Sequence, residues 1–316
     1  MKETDALYWS PRGGNNAKDC WGSCHVFTSK QQDKETHQID EDTILVDFGR
    51  HEKEKDFYNG AYERIVPVLD DVIEIPGFKK PENPAKAIFL THGHTDHLGG
   101  IIPYIEMGAK LPPIYCSETT KNLMIKELVN QGISEDKWPE MNQIKAGDTI
   151  EIGKMKVRTM QASHSIPGAF SFAISNDSTK IFHSGDTKGD PTSFLEGGVN
   201  FDDYKKIKEE GPIDFMTFDS TNATNPGHAT YESEVNETYK KLISEHKDQQ
   251  IVLPMAAAHA ERLASILDAA QANGRDVILN GGPTQDGTIL GLKMAGMDIK
   301  KLFPNIKIVG VNFDEA

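Results

Sequence analysis

Short apolar runs that end at small or polar residues dominate the first two-thirds of the chain, the pattern of strands rather than long helices. Cys24 to Thr28, Thr43 to Phe48, Ala85 to Thr91 and Ile114 to Ser117 are predicted strands on this basis. Two hairpins follow: Thr149 to Ile152 with Met155 to Met160 across Gly153-Lys154, and Phe170 to Ser175 with Lys180 to His183 across Asn176-Asp177. Both dipeptides suit tight turns. From about Pro212 the pattern changes to strand alternating with helix, as in a parallel sheet with crossover helices. Ile213 to Asp219 is read as its first strand, followed by strands at Ile251 to Met255, Asp276 to Asn280 and Ile306 to Val311. A helix is predicted from Thr230 to about His246, with Glu232 and Glu234 near its positive end and Val235, Tyr239, Leu242 and Ile243 on one face. A second runs from His259 to Asn273, stopping at Asn273-Gly274, and a third from Thr284 to about Gly296.

Composition narrows the class. A chain of 316 residues holds one large domain or two of ordinary size. No stretch approaches the roughly 18 apolar residues of a membrane span, and Met1 to Tyr8 carries no apolar signal core, so neither membrane insertion nor export is indicated. Three cysteines, Cys20, Cys24 and Cys116, are too few and too odd in number for a disulfide framework, and a cytoplasmic location is expected. Cys20, Cys24 and His25 lack the second thiol pair that would close a structural zinc site, so buried thiols are the expected reading. The net charge of -14 argues against a broad basic nucleic-acid surface. It leaves room for a phosphate site where bound cations offset the field locally.

The chemistry concentrates at His92-Gly-His94-Thr-Asp96-His97, directly after the apolar strand Ala87 to Thr91. Imidazole and carboxylate are the ligands that zinc or manganese takes, and a tight loop at a strand end can aim alternate side chains at adjacent metal positions. This motif resembles the signature of the metallo-β-lactamase superfamily. Asp47 in Ile44-Leu-Val-Asp-Phe-Gly49, His164 in Ala162-Ser-His-Ser-Ile-Pro167 and Asp186 in His183-Ser-Gly-Asp-Thr187 follow in the order of that superfamily's remaining motifs. The resemblance implies a first metal on His92, His94 and His164, a second on Asp96 and His97, Asp186 shared between them, and Asp47 supporting the loop. Zinc is the first expectation for the two divalent ions, with manganese or magnesium as alternatives.

Further residues resemble the ribonuclease J-like, β-CASP branch: Asp186-Thr-Lys-Gly-Asp190-Pro191-Thr192, then Phe218-Asp219-Ser-Thr-Asn222-Ala, with Pro226-Gly227 and Ser233-Glu234 beyond. The likeness spans Gly14-Asn15 to about Gly296. It implies an α/β protein, a metallo-β-lactamase αββα sandwich over residues 1–222 followed by a β-CASP α/β domain over 223–316. The implied activity is hydrolysis of RNA phosphodiester bonds, 5′-to-3′ exonucleolytic, endonucleolytic or both, through a metal-bridging hydroxide, with Asp96, Asp186 and Asp219 as catalytic carboxylates. Ser165, Asn222, His259, Arg262 and Thr284 are candidate substrate contacts; for His259-Ala-Glu-Arg262 and Gly281-Gly-Pro-Thr284, helix capping and surface charge are equal alternatives. The family returns from the β-CASP insertion to the sandwich with a histidine-rich motif, and no such segment is found here. The expectation is therefore a β-CASP domain cut short, with a homodimer or a partner chain completing the fold and His228, His246 or His259 as stand-in ligands. Two other readings stay open: a hydrolase of small esters or thioesters on the same fold, and a catalytically silent RNA-binding relative.

Overall fold

A computed structural model describes residues 5–13, 22–32, 35–52, 64–196, 198–221, 223–227, 229–256, 258–279, 289, 293, 297–305 and 307–309. Two mixed sheets face each other. The first is ordered β1 (Asp5–Gly13), β2 (Cys24–Gln32), β3 (Ile39–Val46), β6 (Ala87–Phe89), β7 (Ile114–Cys116) and β8 (Met141–Gln143). Its early strands pair antiparallel and β3, β6, β7 and β8 pair parallel. The small ribbon β4 (His51–Glu52) with β5 (Arg64–Ile65) stands apart from it. The second sheet comprises β9 (Thr149–Ile152), β10 (Met155–Gln161), β11 (Phe170–Ser175), β12 (Lys180–His183) and β13 (Phe215–Thr217), antiparallel except for the parallel β12/β13 pair.

Strand periodicity explains the layers. Ile44 and Val46 of β3 join Phe27, Phe89, Val157, Phe172 and Ile181 between the sheets, whereas Leu45 faces the opposite way. That opposite face is covered by α1 (Thr95–Leu98), α2 (Ile101–Glu106) and α3 (Glu118–Asn130), through Leu98, Ile101, Ile102, Met124 and Leu128. The central strand β6 is buried on both sides, which is why it reads as a continuous apolar run. On the outer face of the second sheet, Ile207 of α4 (Phe201–Glu209) packs on Met160, Ala173 and Phe182. The order is helix, sheet, sheet, helix, the αββα sandwich expected.

Beyond β13, α5 (Glu232–Glu245) and α6 (Ala260–Ala272) pack together, and α6 buries Leu263, Ala264 and Leu267 against Leu279, Ile289, Phe303 and Ile299 of α7 (Ile299–Leu302). A parallel pair, β14 (Val277–Ile278) with β15 (Ile308–Val309), completes the described part of this region. Ile166, from the loop after β10, enters the same cluster and ties it to the sandwich. No helix among the described residues is long and apolar enough to cross a membrane.

Most predicted elements stand where periodicity put them, including both hairpins. Ile213 to Asp219 does not open a second sheet: its core, β13, extends the second sandwich sheet beside β12. Ile251 to Met255 pairs with no strand among the described residues. The expected helix Thr284 to Gly296 lies almost wholly outside the described residues. Helix α3 escaped periodicity because two of its buried positions are threonines, Thr119 and Thr120, which count as polar in the sequence.

Candidate metal centre

Strand β6 delivers the chain into the loop His92 to His97, whose second half is the single turn α1 with His94 at its N-cap position. The loop is clasped from below. Ser23 N donates to Asp96 O at 2.8 Å, Phe48 N to His97 O at 2.7 Å, and Gly49 N to Ser23 O at 2.8 Å. Gly49 is required by contact: a Cβ there would sit 1.7 Å from Asp96 O. Asp47, at φ 62, takes a left-handed conformation that Asp tolerates better than most side chains. This aims its buried carboxylate upward. Oδ1 accepts from Thr91 N at 2.8 Å and Thr91 Oγ1 at 2.9 Å, and Oδ2 accepts from His97 Nδ1 at 2.7 Å.

Hydrogen bonding assigns the ring protons. His97 Nδ1 donates to Asp47, so its Nε2 carries the lone pair. Thr91 Oγ1 gives its proton to Asp47 and accepts from His92 Nδ1 at 3.0 Å, leaving His92 Nε2 as an acceptor. His94 Nε2 lies 3.3 Å from Ser165 Oγ, leaving Nδ1 to face inward. His94 Nδ1 is then 3.0 Å from His92 Nε2 and 3.1 Å from His164 Nε2. Lone pairs set so close repel unless a cation lies among them. Metal-donor atoms of His92, His94 and His164 lie within 4.8 Å of one another, and those of His92, His97 and Asp186 form a second such set. The donor chemistry therefore fits divalent metal. Asp96 Oδ2 stands at the second set's edge, 3.7 Å from His97 Nε2.

Electrostatics agree. Burial presses His92 well below the ordinary imidazole range and His164 down to about 3, with neighbouring histidines acting in the same direction, so both rings are neutral and free to act as ligands. His94 is also depressed, by burial first, against the opposing pull of Asp96. Burial would depress His97 too, but Asp47 and Asp186 overcome it and hold its pKa well above the ordinary range. Burial would raise Asp47 and Asp186, yet His97 keeps both below the usual carboxylate range. Positive charge is favoured at His97 Nε2, whether a proton or a metal ion supplies it.

The cluster opens onto a cleft of about 830 Å³ lined by His164, Ser165, Asp186, Lys188, Asp219 and His259, among others. His92, His94, Asp96, His97, His164 and Asp186 thus come together, with Asp47 beneath them and Ser165 beside His94. Asp219 instead accepts backbone bonds from Thr187 N at 3.2 Å and Thr221 N at 2.7 Å, bracing the turn that carries Asp186. His259 Nδ1 accepts from Arg262 N at 3.0 Å as the N-cap of α6, and Arg262 Nε pairs with Glu232 at 2.9 Å. Asn222, Thr284 and His228 lie outside the described residues, as does Cys20, whereas Cys24 and Cys116 are buried free thiols. His246, at the end of α5, bonds Gln249.

A family model described as a beta-lactamase superfamily domain matches residues 71–246, more than half of the chain. The chain belongs to the metallo-β-lactamase superfamily. Within it the protein is ribonuclease J-like. Ribonuclease J of Mycoplasma pneumoniae is 28% identical over 266 residues, covering 83% of this chain and 44% of that protein. Ribonuclease J of Thermus thermophilus is 28% identical over 243 residues, covering 75% of this chain and 40% of its own. The chain thus spans less than half the length of these relatives. A solved protein of unknown function from Enterococcus faecalis V583 shares the fold, with a TM-score of 0.63 over 98% of this chain and 78% of that one at 18% identity.

Several residues at this metallo-β-lactamase centre escaped the motif reading. Asp190 Oδ2 accepts from Glu232 N at 2.6 Å and Asp190 N donates to Ser163 Oγ at 2.8 Å, so Asp190 joins the loops carrying His164 and Asp186 to the start of α5. Glu232 is buried among Arg262, Lys188 at 3.2 Å and Ser265 at 2.9 Å. On the sandwich side, His25 and His183 pack with ring centroids 4.7 Å apart, and His183 Nε2 is buried without a partner among the described residues. Only the last had a signal in the sequence, a histidine inside an apolar strand; charges such as Glu232 look like surface residues until the fold pairs them.

Proposed function

We propose that this chain hydrolyses RNA phosphodiester bonds at a dinuclear centre, with His92, His94 and His164 holding one divalent ion, Asp96 and His97 the other, and Asp186 between them. The observation that carries this reading is the convergence of unshared imidazole lone pairs and an ionised carboxylate at the floor of an open cleft. Three neutral imidazoles favour zinc at the first position, and the carboxylates also suit manganese or magnesium at the second. Two bound cations would supply an activated water at neutral pH and neutralise the charge that develops at phosphorus.

The residues around them have separable tasks. Asp47 fixes the His97 tautomer, and Asp219 holds the Asp186 turn through Thr187 N. Ser165, His259 and the ammonium of Lys188 line the cleft and offer donors to an incoming phosphate chain. Asn222 and Thr284 stay candidate RNA contacts by resemblance alone, whereas Arg262 acts through Glu232. The sandwich, residues 1–222, carries the metals, and residues 223–316 form the β-CASP wall of the cleft. Free thiols at Cys24 and Cys116 suit a cytoplasmic setting.

The test combines metal content of the purified chain with cleavage of end-labelled, 5′-monophosphorylated single-stranded RNA, against a His94→Ala, Asp96→Ala variant. Two metals per chain and metal-dependent cleavage absent from the variant are expected, and the product ladder separates exonucleolytic from endonucleolytic cutting. RNA binding without cleavage under saturating metal would replace this reading with a silent binding protein. Hydrolysis of chromogenic esters or thioesters with RNA left intact would replace the substrate.

A further inference from the structure

His25 and Ser23 lie below the centre and belong to none of its ligand sets, yet their hydrogen bonds lead into it. Indole Nε1 is a donor only, and Trp9 Nε1 donates to His25 Nδ1 at 3.1 Å. This fixes His25 as the Nε2–H tautomer, because the ring is buried and neutral, its pKa pressed down to about 4 chiefly by burial. His25 Nε2 therefore donates to Ser23 Oγ at 3.3 Å, and Ser23 Oγ donates onward to Asp47 Oδ2 at 3.3 Å. That oxygen also accepts the His97 Nδ1 proton. Every hydrogen in the series points toward Asp47, and His97 Nε2 is left 3.4 Å from Asp186 Oδ2. The main chain of Ser23 is committed to the same loop through Asp96 O and Gly49 N. The buried His183 ring tilts against His25 and fixes its plane from the second sheet.

We propose that Trp9, His25 and Ser23 form a positioning relay that orients Asp47 and thereby holds His97 Nε2 toward the second cation. It rests on the dinuclear reading above. Outer partners of metal-ligating histidines set ring orientation and ligand basicity. Here that support extends through three further side chains to the outermost strand of the first sheet. The sequence Cys24-His25, unusable as a zinc knuckle, thereby gains a task.

Two measurements test it. Nitrogen-15 spectra of the metal-free protein report histidine tautomers directly. His25 is expected as Nε2–H; an Nδ1–H tautomer would reverse the relay and overturn the proposal. Zinc titration against a competing chelator then compares wild type with Ser23→Ala, which removes the hydroxyl and keeps the backbone bonds. Weakening of the second zinc by about 10-fold is expected, with the first zinc unchanged, a smaller loss in Trp9→Phe, and restoration in Ser23→Thr. Unchanged second-site affinity in Ser23→Ala, or equal loss at both sites, would refute the relay while leaving the metal centre standing. Wild type that binds no zinc would remove the dinuclear reading and the relay with it.

Discussion

The two walls of the cleft treat their polar groups in opposite ways. On the sandwich wall, ring nitrogens of His92, His94, His97 and His164 and the Asp186 carboxylate crowd onto shared points. Opposite, Glu232 of the facing wall is matched by Arg262, Ser265 and the sandwich's Lys188, and Asp190 of the sandwich by Thr192, Lys188 and the backbone of α5. Burying polar groups is costly unless they are satisfied. The Glu232 cluster meets that requirement within the chain and so reads as architecture. The sandwich wall leaves it to something outside the chain and so reads as a binding centre.

Adding metal gives the largest expected contrast. Zinc at a free concentration about 1,000 times its dissociation constant stabilises the fold by about 4 kcal/mol, seen as a rise in the urea midpoint that a chelator reverses. The rise should shrink strongly in His164→Ala and persist in Glu232→Gln. A rise of equal size in both variants would erase the distinction between the walls. Next in size, Glu232→Ala takes the carboxylate from Arg262 and leaves Lys188 with Asp190 alone, and should cost about 2–3 kcal/mol. That is less than for a fully buried pair because the Lys188 and Arg262 side chains are 27% and 28% exposed. Denaturant melts check it, and zinc stoichiometry should remain that of wild type.

The third effect is in pH. Burial first, and for His183 the neighbouring His25 next, hold the folded pKa of His25 at about 4 and of His183 at about 3, below the ordinary 6.5. A depressed histidine contributes stability that is complete above 6.5 and drains as pH falls toward the folded value, by up to about 1.4 kcal/mol per pH unit for each ring. Asp190 and Glu232, whose partners outweigh burial and lower their pKa values, contribute stability that is complete above the ordinary values of 3.8 and 4.5. Urea midpoints should therefore fall between pH 6.5 and 5 on account of the histidines. Glu232→Gln should show the same slope over that interval; a flattened slope would assign the acid sensitivity to the wrong wall.

Much of the sandwich was legible because its strands alternate cleanly and its hairpins carry Gly153-Lys154 and Asn176-Asp177. The ligand loop was legible because four donors sit within six residues of one strand end. Less visible was anything depending on pairing at a distance. Strand β13 looked like the start of a new sheet, since sequence order cannot show that Ile181, Phe182 and His183 lie beside Phe215, Met216 and Thr217. Arg262 looked like a phosphate contact until Glu232, thirty residues away, proved to hold its guanidinium.

By itself, the sequence determined the superfamily, the ligand types and the strand-rich frame, because periodicity and a compact donor motif are local properties of the chain. Tertiary structure alone decided the tautomers of His25, His92 and His97, which charges are spent on one another, and which residues stand behind the candidate ligands. Those depend on directions and distances between segments far apart in sequence: Trp9, Ser23, Asp47 and His97 become one hydrogen-bonded series only when β1, β2, β3 and the loop after β6 lie side by side.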